Sequence, residues 1–173
     1  GQLARAGLLF PHWPAEYGGR DKTPFDMAEL AEVFEEFGWQ RITGPVTNQV
    51  AQIVMRFAAQ DDKDEVLPRF ASGAALACLG FTEPSCGSDV FAARTRAVRD
   101  GDDWIIDGQK MFTTAANLAD YIFLLVRTGP EIPKHAGLTL FLVPMATPGI
   151  EVQAVHTMQD ERTNITYLSQ VRV

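Results

Sequence analysis

The chain has 173 residues, 46% hydrophobic and 21% charged, with a formal net charge of -7, a balance that excludes wholesale disorder and a nucleic-acid binder built to neutralise phosphates. Cys78 and Cys86 are the only cysteines and form no Cys-x-x-Cys pair, which argues against a disulfide framework or structural zinc and for a reducing compartment. No run nears the roughly 20 apolar residues of a membrane-spanning helix, and the N-terminus lacks the charged-then-apolar order of a signal peptide, so the expectation is a soluble cytoplasmic protein with neither membrane nor nucleic acid as partner.

Residues 1–75 carry helical signals. Leu3 and Ala6 lie at the end of a short helix that Gly7 is placed to stop. Pro11 to Gly19, with two prolines and a Gly-Gly pair, reads as a loop. Thr23-Pro24 then opens the clearest helix, with threonine as cap and proline at the first helical position. Met27, Leu30, Ala31, Phe34 and Phe37 form one apolar stripe, opposite Glu29, Glu32, Glu35 and Glu36. A further helix is predicted from about Pro45 to Ala59. Another runs from Asp61 to about Ser72, interrupted or bent by Pro68, with Asp61, Asp62 and Asp64 as a solvated first turn rather than a metal cluster.

From about Leu76 the period changes to that of strands. Ala93 to Arg99 and Trp104 to Met111 flank Asp100-Gly101-Asp102, a hairpin turn in which glycine accepts positive φ. Asp120 to Arg127, Leu138 to Val143, Ile150 to Met158 and Ile165 to Val173 complete about seven strands. The fold class expected is therefore α+β: an all-α domain, 1–75, followed by a small antiparallel β-barrel or sandwich domain, 76–173. The Gly129 to Gly137 stretch, with Lys134 and His135, is the longest loop of the β part and reads as an exposed connection. Gly1 in place of methionine and the strand-like end at Val171-Arg172-Val173 read as a piece of a longer protein.

Two loops carry candidate chemistry. Phe81-Thr82-Glu83-Pro84-Ser85-Cys86-Gly87-Ser88-Asp89 follows an apolar strand with hydroxyls, small residues and backbone amides, and Gly108 to Ala116 supplies an aromatic ring and two more hydroxyls. A flavin needs hydrogen-bond partners at its ring edge, an apolar or aromatic face, and donors for its pyrophosphate. Thr82 and Thr114 can present hydroxyls to the ring, Phe112 can cover one side, and amides near Gly87 and Ser88 can face phosphate oxygens. Each element alone is ordinary; their joint order between a helical half and a β half makes the pattern specific. A Cys86 thiol nucleophile lacks a recognisable partner among His12, His135 and His156.

Phe81 to Asp89 resembles the Thr-Glu-Pro-x-x-Gly-Ser-Asp signature of the acyl-CoA dehydrogenases, and Gly108 to Ala115 resembles their Gly-x-Lys-x-Trp-Ile-Thr-Asn segment. Pro11 to Gly19, Ala119-Asp120 with the strand ending at Arg127-Thr128, Leu140 to Pro144, Pro148-Gly149-Ile150 and Val171 to Val173 resemble further landmarks. Phe112 stands where tryptophan is frequent and Ala115 where asparagine is common.

The resemblance implies FAD as cofactor and oxidation of an acyl-CoA thioester to the trans-2-enoyl-CoA, by α-proton abstraction and β-hydride transfer to flavin N5. It implies Phe81, Thr82, Gly87, Ser88, Phe112, Thr113 and Thr114 at the flavin, with Thr114 the candidate for the N5 hydrogen bond and Ser88 also near the substrate. Glu83 matches a structural position, so no catalytic residue is expected in this fragment, and a glutamate base would lie in a C-terminal helical domain beyond residue 173. Through that domain a homo- or hetero-oligomer is implied, with an electron-transfer flavoprotein as redox partner. An oxidase or flavin monooxygenase of the same fold, or a non-catalytic subunit of a hetero-oligomeric dehydrogenase, are the alternatives. Arg162 and Thr163 resemble the turn before the last β strand.

Overall fold

The computed structural model describes residues 2–38, 44–131, 133–158 and 162–173. Contacts divide the chain into two units, Gly1–Leu76 and Ala77–Val173. The first contains helices α1 (Gln2–Arg5), α2 (Pro24–Glu36), α3 (Gly44–Phe57) and α4 (Gln60–Ala71). Helix α2 starts where its chemistry requires: the Thr23 hydroxyl accepts the Asp26 amide while the Asp26 carboxylate accepts the Thr23 amide, a reciprocal cap with Pro24 just inside. Its glutamates are exposed as expected, but the stripe is only half-buried at Met27, Leu30 and Phe34, and Ala31 and Phe37 are exposed. The buried centre of the unit lies instead in α3 and α4, at Val50, Ala51, Val54, Val66, Leu67 and Phe70. The Pro11 to Gly19 loop adds Trp13, fully buried and stacked on Phe10 at 4.3 Å, its indole donating to the Asn48 side chain.

Helix α4 passes Pro68 and continues to Ala71 rather than being interrupted. Pro68 sits in the last turn, where the single amide it lacks costs one hydrogen bond and leaves the preceding turns intact. Asp61 and Asp62 lie in the first turn, complementing the helix dipole.

The second unit is one mixed sheet of β1 (Ala77–Gly80), β2 (Arg96–Asp100), β3 (Asp103–Lys110), β4 (Tyr121–Arg127), β5 (Leu138–Pro144), β6 (Ile150–His156) and β7 (Arg162–Arg172). The α+β class is the one expected. Pairing is not antiparallel throughout, however: β1 runs parallel to β4, and β2 meets β4 in parallel at Arg96 and Arg127. Strand β4 reads Tyr-Ile-Phe-Leu-Leu-Val-Arg without polar alternation, the pattern of a strand covered on both faces. Strand β5 pairs along its whole length, so β1 and β2 share its other edge, lying end to end.

That arrangement positions the site. Strand β3 flanks β2 through a hairpin whose Gly101 has φ of +68°, and its last residues run on past the start of β2, beside the chain leaving β1. Strand β7 covers the other edge of β3, with one extra residue opposite Asp107, whose carboxylate accepts the Gln170 amide and so holds the bulge. The core packs Cys78, Ala97, Ile106, Ile122, Leu124, Val126, Val143, Leu168 and Val171 together. Arg162 and Thr163 correct the expectation of a turn: they are the first residues of β7, paired with His156 and Val155. Residues 159–161 of that predicted turn, and 132 of the long loop, lie outside the described residues.

Candidate functional site

Two turns meet at the end of β3. The segment leaving β1 makes a tight turn in which the Glu83 and Cys86 amides and carbonyls exchange hydrogen bonds, 2.9 and 3.1 Å long. Beside it the Met111 amide donates to the Thr82 carbonyl at 2.8 Å, a direct main-chain link between the two predicted loops.

Beneath this link lies a buried ion pair. The Lys110 ammonium, wholly enclosed, donates to a Glu83 carboxylate oxygen at 2.7 Å and to the Leu125 carbonyl at 2.6 Å, with the Phe81 carbonyl at 3.4 Å. The Glu83 carboxylate also accepts the amides of Arg94 and Thr95, at 2.7 and 2.9 Å. Burial pushes the Glu83 carboxyl up, but the Lys110 ammonium and the two amides outweigh it and hold it below the usual carboxylate range. Burial likewise draws the Lys110 ammonium below its ordinary value against the opposing pull of Glu83. Both groups are thus committed to each other, consistent with the structural role expected of Glu83.

Sequence reading assigned Lys110 no role. A signal was available: Ile106 and Lys110 are four apart on one strand and share its inward face, and a lysine there requires an acid. Gly108, between them on that face, has φ of +149°, and a methyl group on it would come within 2.6 Å of the Thr95 hydroxyl.

Of the seven predicted cofactor residues, six keep a group facing outward or half-covered, and one does not. Phe81 is half-buried, its ring 6.1 Å from that of Phe123. Thr82 is half-buried, and Gly87 and Ser88 are exposed. A methyl group on Gly87 would meet nothing within 4 Å, so the fold itself does not require glycine there. Phe112, at φ of +55°, is 59% exposed. Thr114 is exposed, its hydroxyl 3.3 Å from that of Thr163. Thr113 turns inward: it is fully buried, its hydroxyl has no partner among the described residues, and its amide donates to the Asn164 carbonyl at 2.9 Å while its own carbonyl accepts the Asn164 side chain at 3.0 Å.

Asn164, also missed in the sequence, clamps this turn further through Asn117 at 3.2 Å and is itself held by the Arg162 guanidinium. Arg127 braces the neighbouring loops by donating to the carbonyls of Ala93, Phe91, Pro130 and Lys134. A cavity of about 300 Å³ opens beside the first turn, lined by Glu83, Pro84, Ser85, Arg94, Thr95, Gly108 and Gln109.

Within the second unit no hydrogen bond among the described residues joins Cys86 to a histidine: His135 meets the Phe91 ring edge-on and His156 lies in β6, while His12 of the first unit is bonded to Asn48. Among the described residues no group of three acidic, cysteine or histidine side chains is arranged to hold a metal, and no helix is long and apolar enough to cross a membrane.

Two family models match the chain: the acyl-CoA dehydrogenase N-terminal domain over residues 1–74 and the acyl-CoA dehydrogenase middle domain over residues 78–171. Acyl-CoA dehydrogenase FadE26 of Mycobacterium tuberculosis is 38% identical over 99% of this chain and 44% of its own length. Among solved structures, the ChsE4-ChsE5 complex from Mycobacterium tuberculosis matches with a TM-score of 0.92 at 38% identity, over 99% of this chain and 44% of that one. A glutaryl-CoA dehydrogenase from Mycobacterium smegmatis in complex with FADH2 matches with a TM-score of 0.83 at 32% identity, again over 99% and 44%. The chain thus spans somewhat less than half the length of these relatives. With the two domain models together matching residues 1–74 and 78–171 and the two signature loops joined in one site, the chain belongs to the acyl-CoA dehydrogenase family.

Proposed function

We propose that this chain is the N-terminal and middle part of an FAD-dependent acyl-CoA dehydrogenase, with 1–75 as its helical domain and 76–173 as the domain that faces flavin and acyl-CoA. The observation that carries the proposal is the joining of the two loops by the Met111 amide and the buried Glu83–Lys110 pair, which leaves ring, hydroxyls and amides outward on adjacent turns. The residues present fit such a cofactor. The Gly87 and Ser88 amides and the Thr82 and Ser88 hydroxyls have no intramolecular partner among the described residues, and Phe112 offers an exposed aromatic face. Phe81, Thr82 and Thr114 would line the ring, Gly87 and Ser88 would donate to the pyrophosphate with Ser88 also near the thioester, and Thr113 would support the turn from within. FAD bound there would supply the acceptor for the hydride leaving the acyl β carbon as a carboxylate outside this chain removes the α proton, giving the trans-2-enoyl-CoA. This chain's residues bind, orient and shield; the pairing of Glu83 with Lys110 keeps its carboxylate from acting as the base.

An electron-transfer flavoprotein would reoxidise the enzyme, and an oligomer would form through further helices. The ChsE4-ChsE5 neighbour, a complex of two components, favours as a second reading a subunit whose partner supplies the base. The test is the visible spectrum of the full-length parent protein, as purified and after anaerobic addition of a panel of acyl-CoA thioesters. Flavin absorbance that bleaches with one thioester is the result expected. Bound flavin that no thioester bleaches favours the second reading, or a flavin monooxygenase of the fold, and a colourless protein that cannot be reconstituted with flavin refutes the flavoenzyme assignment.

A further inference from the structure

The hydroxyls of Thr114 and Thr163 lie 3.3 Å apart, and either can be the donor. Among the described residues each is the other's only hydrogen-bond partner. Thr114 is exposed on the turn, whereas Thr163 is 8% exposed at the start of β7. The next residue, Asn164, fixes the same turn through both main-chain groups of Thr113, so the spacing of the two threonines is set by the strand rather than by side-chain chance.

We propose that Thr163 is a positioning residue that sets the donor direction of the Thr114 hydroxyl, making the pair a reversible hydrogen-bond relay toward the flavin ring. The inference rests on the reading that Thr114 faces flavin N5. A ring nitrogen that accepts a hydrogen bond when oxidised and donates one when reduced needs a partner able to do both, and a hydroxyl has one proton and two lone pairs. When Thr114 donates forward, Thr163 donates to it; when Thr114 accepts, it turns its own proton back to Thr163. No proton changes owner; two hydroxyls rotate. A valine at 163 keeps the volume and removes the return partner. In the oxidised state that leaves a spare lone pair, which costs little; in the reduced state it leaves the Thr114 proton without an acceptor, which costs more. Loss of Thr163 therefore disfavours the reduced flavin.

The test compares Thr163→Val, Thr163→Ser, Thr114→Val and wild type in the full-length flavoprotein, reading flavin content and midpoint potential by equilibration with a reference dye. Thr163→Val is expected to retain flavin and to weaken binding of the reduced relative to the oxidised form about two- to tenfold, the worth of one hydrogen bond, with wild-type behaviour restored in Thr163→Ser. A wild-type potential in Thr163→Val alongside a shifted one in Thr114→Val overturns the inference and leaves the functional reading standing. Wild-type potentials in both valine variants overturn the inference together with the placement of Thr114. Thr163→Ala gives the same comparison if valine is not accommodated.

Discussion

Replacing Lys110 by methionine keeps the length of the side chain and deletes its charge under the two loops. The Glu83 carboxylate, 4% exposed, then loses its 2.7 Å ionic partner while keeping the Arg94 and Thr95 amides. Removing one member of a buried pair costs about 3–5 kcal/mol, because the other charge is left desolvated. Lys110 also serves the Leu125 carbonyl, whose loss adds about 1 kcal/mol. A Glu83→Gln/Lys110→Met double variant should lose clearly less than the sum of the singles, since no lone charge remains buried. Urea unfolding of the parent protein, followed by tryptophan fluorescence and circular dichroism, measures all four corners of the cycle.

The same pair sets an acid dependence. Glu83 is held below the ordinary carboxylate value of 4.5 in the folded chain, so on acidification the unfolded chain takes up this proton first. Stability from the pair is complete above about pH 4.5 and drains away as pH falls through the lower folded value. The penalty of Lys110→Met should shrink over that same acid range, because a protonated Glu83 needs no ammonium. A neutral-pH cost under about 1 kcal/mol, or a coupling energy between 83 and 110 near zero, would refute the account of how the loops are joined.

Three further outcomes are expected. Asn164→Ala should destabilise by about 1–3 kcal/mol, the range for a buried amide and carbonyl losing their partners, and should lower flavin retention on gel filtration; unchanged retention would remove Asn164 from the support of the turn. Gly108→Ala should cost about 1–3 kcal/mol, since its φ of +149° and the 2.6 Å approach to Thr95 both penalise a methyl group, and a wild-type urea midpoint would contradict it. The Cys78 thiol, pushed up to about 12 by burial, should resist Ellman's reagent at neutral pH until the chain unfolds; prompt labelling of the native protein at Cys78, identified by peptide mapping, would show that the strand opens readily.

Local chemistry was legible in the sequence because it acts over a few residues. Thr23 and Asp26 are three apart, Gly101 sits alone in its turn, and six of the seven strands overlap ranges that turn residues mark off in the sequence. What failed depended on partners far along the chain. The parallel register of β1 with β4, from Ala77↔Tyr121 to Gly80↔Leu124, is absent from local patterning because either apolar run could pair in either sense. The α2 stripe predicted a buried face, yet periodicity marks a face able to be covered and says nothing of what covers it. Arg162 and Thr163 were expected in a turn because the segment resembles the one before the family's last β strand; pairing with β6 extends the strand through them. At the site, the outward groups on Thr82, Gly87, Ser88, Phe112 and Thr114 could be named from the sequence, whereas Thr113, one residue from Phe112, could not be known to face inward.

The missed residues share a physical task. An apolar core fixes distance poorly in direction, since burial is rewarded at many orientations, whereas a hydrogen bond weakens steeply when misaligned. Lys110, Asn164 and Arg127 are each buried, and each ends on main-chain carbonyls: Phe81 and Leu125, Thr113, and Phe91, Ala93, Pro130 and Lys134 respectively. The central packed residues of the sheet, by contrast, are almost all hydrocarbon. Polar burial is therefore concentrated beneath the turns, where orientation matters, and each such group is costly unless all its partners are in place. That cost makes the turns all-or-none: either every cross-link forms and the exposed hydroxyls and amides point one way, or the turn opens as a unit. Turns built so present their hydroxyls and amides at fixed angles, which apolar packing alone would not set.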